Sequence, residues 1–315
     1  MSSSESNNKR IKMLDNDELL KKFNCTDFYI DKSLLIKEFL DESSKIVCVT
    51  RPSGYGKTVN LNMLRYFFEM NFKDENDNEN RELFEKLNID DEFNKYSERY
   101  IDLYQGKFPV IYIDFNEIEI GSSYEEPIEK FKYFIQTLYR KYQNIKIENL
   151  PKYEKSMREK FINCNANLIE LNYSISFLCT CLYYSFKGEK QIVLLIDNYD
   201  SLILKFFNKN FFNDICSFYK NVLIDIFNKD KMLNYTFKTF ITGKIYIPLF
   251  YNFKINNYTV FDTEYNEYYS ITESELKVLM DRLNLENSIK IFEKYCISNI
   301  TNVNNAKEIN ILISS

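Results

Sequence analysis

The apolar positions of the chain fall into short continuous runs separated by longer, helix-spaced sets. A continuous run is typical of a strand that is covered on both faces, whereas spacing of three or four residues is typical of an amphipathic helix. The runs lie at residues 46–50, 108–115, 192–197, 236–242 and 258–261. Strands that alternate with helices predict a parallel α/β sheet with helices on both faces.

Helical spacing fills most of the chain between these runs. The predicted helices cover a segment beginning at residue 34, residues 61–72, 81–105, 128–142, two pieces within 154–186, 211–227, and a segment from Thr272 onward. Residues 1–12 are polar and are expected to be disordered.

The first strand leads into Arg51-Pro52-Ser53-Gly54-Tyr55-Gly56-Lys57-Thr58 and then into an amphipathic helix. This order predicts a phosphate-binding loop, in which the backbone N–H groups of residues 53–58 surround phosphate. Lys57 is expected to reach the β- and γ-phosphates and Thr58 to ligate Mg²⁺. The strict pattern has glycine where this chain has Arg51, so Gly54 is expected to supply the flexibility. The alternative is an ordinary strand–turn–helix junction.

A second motif ends the run at 192–197. Four or more apolar residues followed by Asp form the Walker B pattern, and Asp197 is expected to hold the hydration shell of Mg²⁺. The next residue is usually a Glu that deprotonates the attacking water, but here it is Asn198. A neutral amide can position water but cannot accept its proton. Asp200 could replace the missing base only if the turn brings it to the γ-phosphate.

Composition narrows the chemistry further. The chain of 315 residues has no histidine, which excludes Ser-His-Asp and Cys-His catalysis and every His-ligated metal site. A net charge of −5 gives no electrostatic reason to expect nucleic-acid binding by the whole surface, and local basic patches stay an open alternative. Seven scattered cysteines favour a reduced, intracellular protein, cytoplasmic or nuclear, and no apolar segment is long enough for a membrane span.

Taken together, these motifs resemble the AAA-ATPase-like family of predicted P-loop ATPases. The resemblance covers roughly residues 16–285. It rests on the boxes Tyr29-Ile30-Asp31-Lys32-Ser33, Arg51 to Thr58, Tyr104 to Tyr112, Leu195 to Asp200, Thr242-Gly243 and Ser270 to Leu276.

The family implies a five-stranded P-loop NTPase sheet of the extra-strand type, in the order 5-1-4-3-2. The strand of Thr242 then lies between those of residues 46–50 and 192–197. The resemblance further implies that Thr242 senses the γ-phosphate, and that Arg51 and Asp31 lie near the nucleotide. Tyr246 stands near the position where the family has an arginine.

The sequence therefore predicts a protein that binds ATP and Mg²⁺ and hydrolyses ATP weakly or not at all. Two alternatives stay open. One is an active ATPase that uses Asp200 or an arginine from a partner, and the other is a nucleotide-independent scaffold that binds a protein partner or a second copy of itself. The expected domains are the P-loop domain at 13–265 and a partial helical lid with a tail at 266–315.

Overall fold

A computed structural model describes residues 30–72, 80–119, 121, 123–148, 150–227, 234–247 and 255–282. This part of the chain divides into two compact units, residues 32–270 and residues 30–31 with 271–282. The expectations for residues 1–12 and for the tail after residue 282 lie outside the described residues. The domain boundary expected at residue 265 stays a prediction.

The larger unit alternates strands and helices along the chain. The strands are β1 (Ile46–Thr50), β2 (Val110–Asp114), β3 (Ile192–Asp197), β4 (Thr236–Gly243) and β5 (Ile255–Tyr258). The α-helices are α1 (Leu34–Asp41), α2 (Lys57–Phe68), α3 (Arg81–Phe84), α4 (Tyr100–Tyr104), α5 (Glu125–Lys141), α6 (Lys152–Ile162), α7 (Leu168–Asn172), α8 (Ser174–Ser185), α9 (Ser201–Phe206) and α10 (Phe212–Phe227). Short 3-10 helices lie at Asn88–Asp91, Phe115–Glu117 and Asn266–Tyr268. The smaller unit contains α11 (Glu273–Arg282).

All neighbouring strands of the sheet are parallel, and their order is β2-β3-β4-β1-β5. Read from the other edge, this is the expected order 5-1-4-3-2, with β4 between β1 and β3. The register pairs Thr50 with Gly243 and Asp114 with Asp197. The carboxyl ends of β1 to β4 therefore meet at one edge of the sheet, where ligands bind in folds of this class.

Both faces of the sheet are covered, as its continuous apolar strands require. Ile241 of β4 belongs to one large buried cluster, which also contains Phe131 of α5 and Val222 of α10. The adjacent Phe240 points to the other face, where its ring lies 5.1 Å from that of Phe39 in α1. Successive residues of a strand thus supply two separate helix-covered layers.

Two predicted elements were wrong in detail. The helix expected over 81–105 is broken into α3, a 3-10 helix and α4, because Lys86 and Ser97 have φ values of 77° and 62° that no α-helix accommodates. The last strand was expected at 258–261, but it runs from Ile255 to Tyr258, and Thr259 begins a turn by donating its N–H to Asp262.

Candidate nucleotide-binding site

The loop after β1 turns sharply through two glycines. Gly54 and Gly56 have φ values of 90° and 76°, and Gly56 is the N-cap of α2. A Cβ at Gly56 would meet no atom within 4 Å, so the glycine is required for its left-handed backbone and not for space. The turn places the first N–H groups of α2, which have no acceptor within the helix, at the carboxyl edge of the sheet.

The side chain of Lys57 lies across this loop. Its Nζ donates hydrogen bonds of 2.8 Å to the carbonyl oxygens of Arg51 and Pro52. Burial lowers the pKa of the Lys57 amine, and the carboxylates of Asp197 and Asp200 oppose this effect. The Lys57 amine therefore lies beside the loop that was predicted to bind phosphate.

The carboxylate of Asp197 accepts hydrogen bonds from the hydroxyls of both predicted site threonines, Thr58 and Thr242. Thr58 donates its hydroxyl to Asp197 Oδ2 at 2.5 Å, and Thr242 donates its hydroxyl to Asp197 Oδ1. The backbone N–H of Asn198 also donates to Oδ1, at 2.9 Å. Three residues from three different segments therefore converge at one carboxylate. A hydroxyl and a carboxylate are oxygen ligands of the kind that Mg²⁺ prefers, so these residues fit a magnesium site.

Asn198 occupies the position of the usual catalytic Glu with a left-handed backbone of φ 52°. Its Nδ2 donates to Asp114 Oδ1 at 2.9 Å, and the same oxygen accepts the N–H of Asn116 at 2.8 Å. Burial raises the pKa of Asp114, and the nearby charge of Asp197 acts in the same direction. Sequence reasoning missed Asp114, although an acidic residue that ends a predicted parallel strand, as Asp197 also does, was a usable signal.

Asp200 is used to hold the turn after β4. Only 1% of the residue is exposed, and its Oδ2 accepts the N–H groups of Lys244 and Ile245 at 2.7 and 2.9 Å. The hydroxyl of the buried Tyr199 holds the same turn through the carbonyl of Ile245 and the N–H of Ile247. This arrangement favours a structural role for Asp200 over the water-activating role that was considered for it.

Arg51 has a different environment from the one expected. Its guanidinium, 1% exposed, donates to the carbonyl of Tyr258 at 3.0 Å and to Asn266 Oδ1 at 2.8 Å, and it lies over the ring of Tyr269. Its backbone N–H donates to Gly243 at 3.0 Å. Because both the side chain and the N–H of Arg51 are already bonded, it fastens the loop to residues 258–269. The contact of Arg51 with nucleotide stays a prediction.

The remaining predicted residues are less constrained. Ser53 is exposed and Tyr55 is half-buried within the loop, so their contact with nucleotide stays a prediction. Asp31 belongs to the smaller unit, and its role near the nucleotide also stays a prediction. Tyr246 is half-buried and packs against the large apolar cluster. Lys244, two residues before Tyr246, is exposed.

The described part of the chain contains no group of three or more Cys, Asp or Glu side chains placed to hold a metal ion. None of its helices combines the length and the apolar character that crossing a membrane demands.

The chain was compared with known proteins. Neither the curated proteins nor the solved structures gave a match. A family model described as a predicted AAA-ATPase matches residues 18–249, which is most of the chain and includes the loop, Asp197 and Thr242. The chain therefore belongs to the AAA-ATPase-like family.

Proposed function

We propose that this protein binds ATP together with Mg²⁺ at the carboxyl edge of the sheet and hydrolyses ATP slowly or not at all. The observation that carries the proposal is the 2.5 Å hydrogen bond between the Thr58 hydroxyl and Asp197, with the Lys57 amine buried beside the same loop. Membership of a predicted ATPase family supports nucleotide binding in general.

Each residue has a separate task in this proposal. Lys57 exchanges its bonds with the two loop carbonyls for bonds with the β- and γ-phosphates, while the N–H groups of 53–58 surround the phosphate oxygens. Thr58 and Asp197 would hold Mg²⁺, which neutralises charge on the phosphates when bound. Thr242 donates its hydroxyl to the Asp197 carboxylate and would sense the γ-phosphate in this proposal.

Slow hydrolysis is expected from two positions at which this chain lacks a charged residue of the family, Asn198 and Tyr246. Asn198 cannot accept the proton of water, and general-base assistance typically contributes about 10²–10⁴-fold to a rate. Tyr246 brings no positive charge where the family has an arginine. An arginine contact to the γ-phosphate can contribute about 10³–10⁵-fold, although such losses do not simply multiply.

The test is a nucleotide-dependent rise in melting temperature. A ligand at about a hundred times its Kd stabilises a protein by about 2.7 kcal/mol, so millimolar ATP with Mg²⁺ should raise the melting temperature of the wild type. Lys57→Ala should abolish the rise. Lys220→Ala is the matched control, because this lysine is exposed on α10, and it should behave as the wild type. A folded wild-type protein that shows no rise would refute the proposal.

A further inference from the structure

The residue that follows Asp197 is paired with a carboxylate from another strand. Asn198 donates its amide N–H to Asp114 Oδ1 at 2.9 Å, so one acid and one amide lie side by side at the carboxyl edge of β2 and β3. The two strands are parallel neighbours, and their register places Asp114 opposite Asp197. Asp114 is therefore at the edge where the proposed site binds the nucleotide.

The carboxylate oxygen of Asp114 that can accept a proton from water is its second oxygen, Oδ2. The two hydrogen bonds that Asp114 accepts within the described ranges, from the Asn198 amide and the Asn116 N–H, both go to Oδ1. Asp114 is half-buried, and the structure gives Oδ2 no hydrogen-bond partner among the residues it describes. Asp200 also has one carboxylate oxygen without a hydrogen-bond partner among the described residues, but it differs from Asp114 because this oxygen, Oδ1, is buried, while its Oδ2 holds two backbone N–H groups.

We propose that Asp114 is the proton acceptor for the hydrolytic water and that Asn198 positions it, an inference that rests on the proposed binding of ATP. In this step a water oxygen forms a bond to the γ-phosphorus, and the bond from that phosphorus to the β,γ-bridging oxygen breaks. The bridging oxygen leaves with ADP, and the water proton moves to Oδ2 of Asp114. The acid and amide roles are thus exchanged between two strands. The acid of β2 supplies the base that is missing at 198, and the slow hydrolysis of the proposed function is then caused by the absence of the family's arginine, where this chain has Tyr246.

The acid and the amide can be exchanged while the hydrogen bond between residues 114 and 198 is kept. In Asp114→Asn, the new amide still offers an oxygen to the Asn198 N–H, so the fold is expected to survive. In the double variant Asp114→Asn/Asn198→Asp, the amide at 114 donates to the carboxylate at 198, and the N–H of the exposed Asn116, which loses its acceptor, bonds to water instead. Asp is preferred to Glu at 198, because Asp and Asn tolerate the left-handed backbone of φ 52° found there.

Single-turnover hydrolysis of ATP with Mg²⁺ should be measured for the wild type and both variants. Asp114→Asn should slow hydrolysis by about 100-fold or more. The double variant should recover a large part of this loss, because it returns an acid to the pair. ATP affinity, read from the nucleotide-dependent melting temperature, should not change in either variant. Glu117→Gln removes an exposed acid only three residues from Asp114 and should hydrolyse ATP as the wild type does.

The outcomes separate this inference from the proposed function. If the wild type shows no nucleotide-dependent stabilisation, binding itself is refuted and the inference falls with it. If the wild type binds ATP but hydrolyses none above the uncatalysed background, the inference alone is overturned. It is also overturned if Asp114→Asn hydrolyses ATP as fast as the wild type, if it loses affinity for ATP and Mg²⁺ instead, or if the double variant is no faster than Asp114→Asn.

Discussion

Substitution of Asp200 distinguishes a structural carboxylate from a catalytic one. Its Oδ2 accepts the N–H groups of Lys244 and Ile245 at 2.7 and 2.9 Å, and the residue is buried. Asp200→Ala removes both bonds, and Asp200→Asn keeps an oxygen that can accept them but cannot take a proton from water. The two variants together therefore separate support of the turn from proton transfer.

The loss of unfolding free energy expected for Asp200→Ala follows from these two hydrogen bonds. A hydrogen bond to a charged group contributes about 1.5–3 kcal/mol, so the two bonds contribute about 3–6 kcal/mol. Part of this is offset, because alanine no longer requires burial of a carboxylate and the exposed Lys244 and Ile245 can bond to water. We expect Asp200→Ala to lose about 2–3 kcal/mol. At about 2–4 °C per kcal/mol for a unit of this size, the melting temperature should fall by about 4–12 °C.

Thermal unfolding and single-turnover hydrolysis, measured on the same samples, distinguish the structural role of Asp200 from a catalytic one. Asp200→Asn should unfold within a few degrees of the wild type and keep its rate within roughly tenfold, well short of the loss expected for a general base. Asp214→Ala, which removes an exposed acid from the first turn of α10, is the control for loss of a negative charge. The reasoning is refuted if Asp200→Asn is as stable as the wild type and loses hydrolysis by about 100-fold or more.

Two further predictions concern stability. Gly56→Ala should lower the unfolding free energy only by the strain of a left-handed residue, about 1–2 kcal/mol. Gly243→Ala should lower it by about 3 kcal/mol, because its Cβ would lie 2.5 Å from the buried ring of Tyr199. Urea unfolding of both variants measures the two losses, and equal losses would contradict the prediction. Burial lowers the pKa of Lys238 to about 8, so the unfolded chain binds more protons than the folded chain from there up to the ordinary value of 10.5. The unfolding free energy should rise with pH across that window, and a rise that persists unchanged in Lys238→Met would show that another group causes it.

The sheet could be predicted from the sequence because its strands are apolar on both faces. β1 and β3 are buried along their whole length, and this leaves continuous runs that few other structures produce. The segment 81–105 has helical spacing but contains two residues with positive φ, a conformation that apolar spacing does not report. Local patterns therefore located the core better than its connections.

The candidate site was predictable where it depends on the order of residues along the chain. Lys57, Thr58 and Asp197 follow recognisable motifs, and the structure brings the hydroxyl of Thr58 onto Asp197. The partnership of Asp114 with Asn198 could not be read in this way, because it joins residues 84 positions apart through the register of two strands. The partners of Arg51 could not be predicted for the same reason, since those at 258 and 266 are distant in sequence.

The anchoring of Arg51 bears on where this domain can be cut. The family match stops at residue 249, yet the carbonyl of Tyr258 and the amide oxygen of Asn266 receive the guanidinium beside the loop. A chain shortened to the family boundary would remove these acceptors of the buried cation, and it would also lose β5 from the edge of the sheet. Residues 255–269 are therefore part of the smallest piece of this protein that can be expected to fold with an intact loop, and any minimal version for crystallisation or screening should extend at least to residue 270.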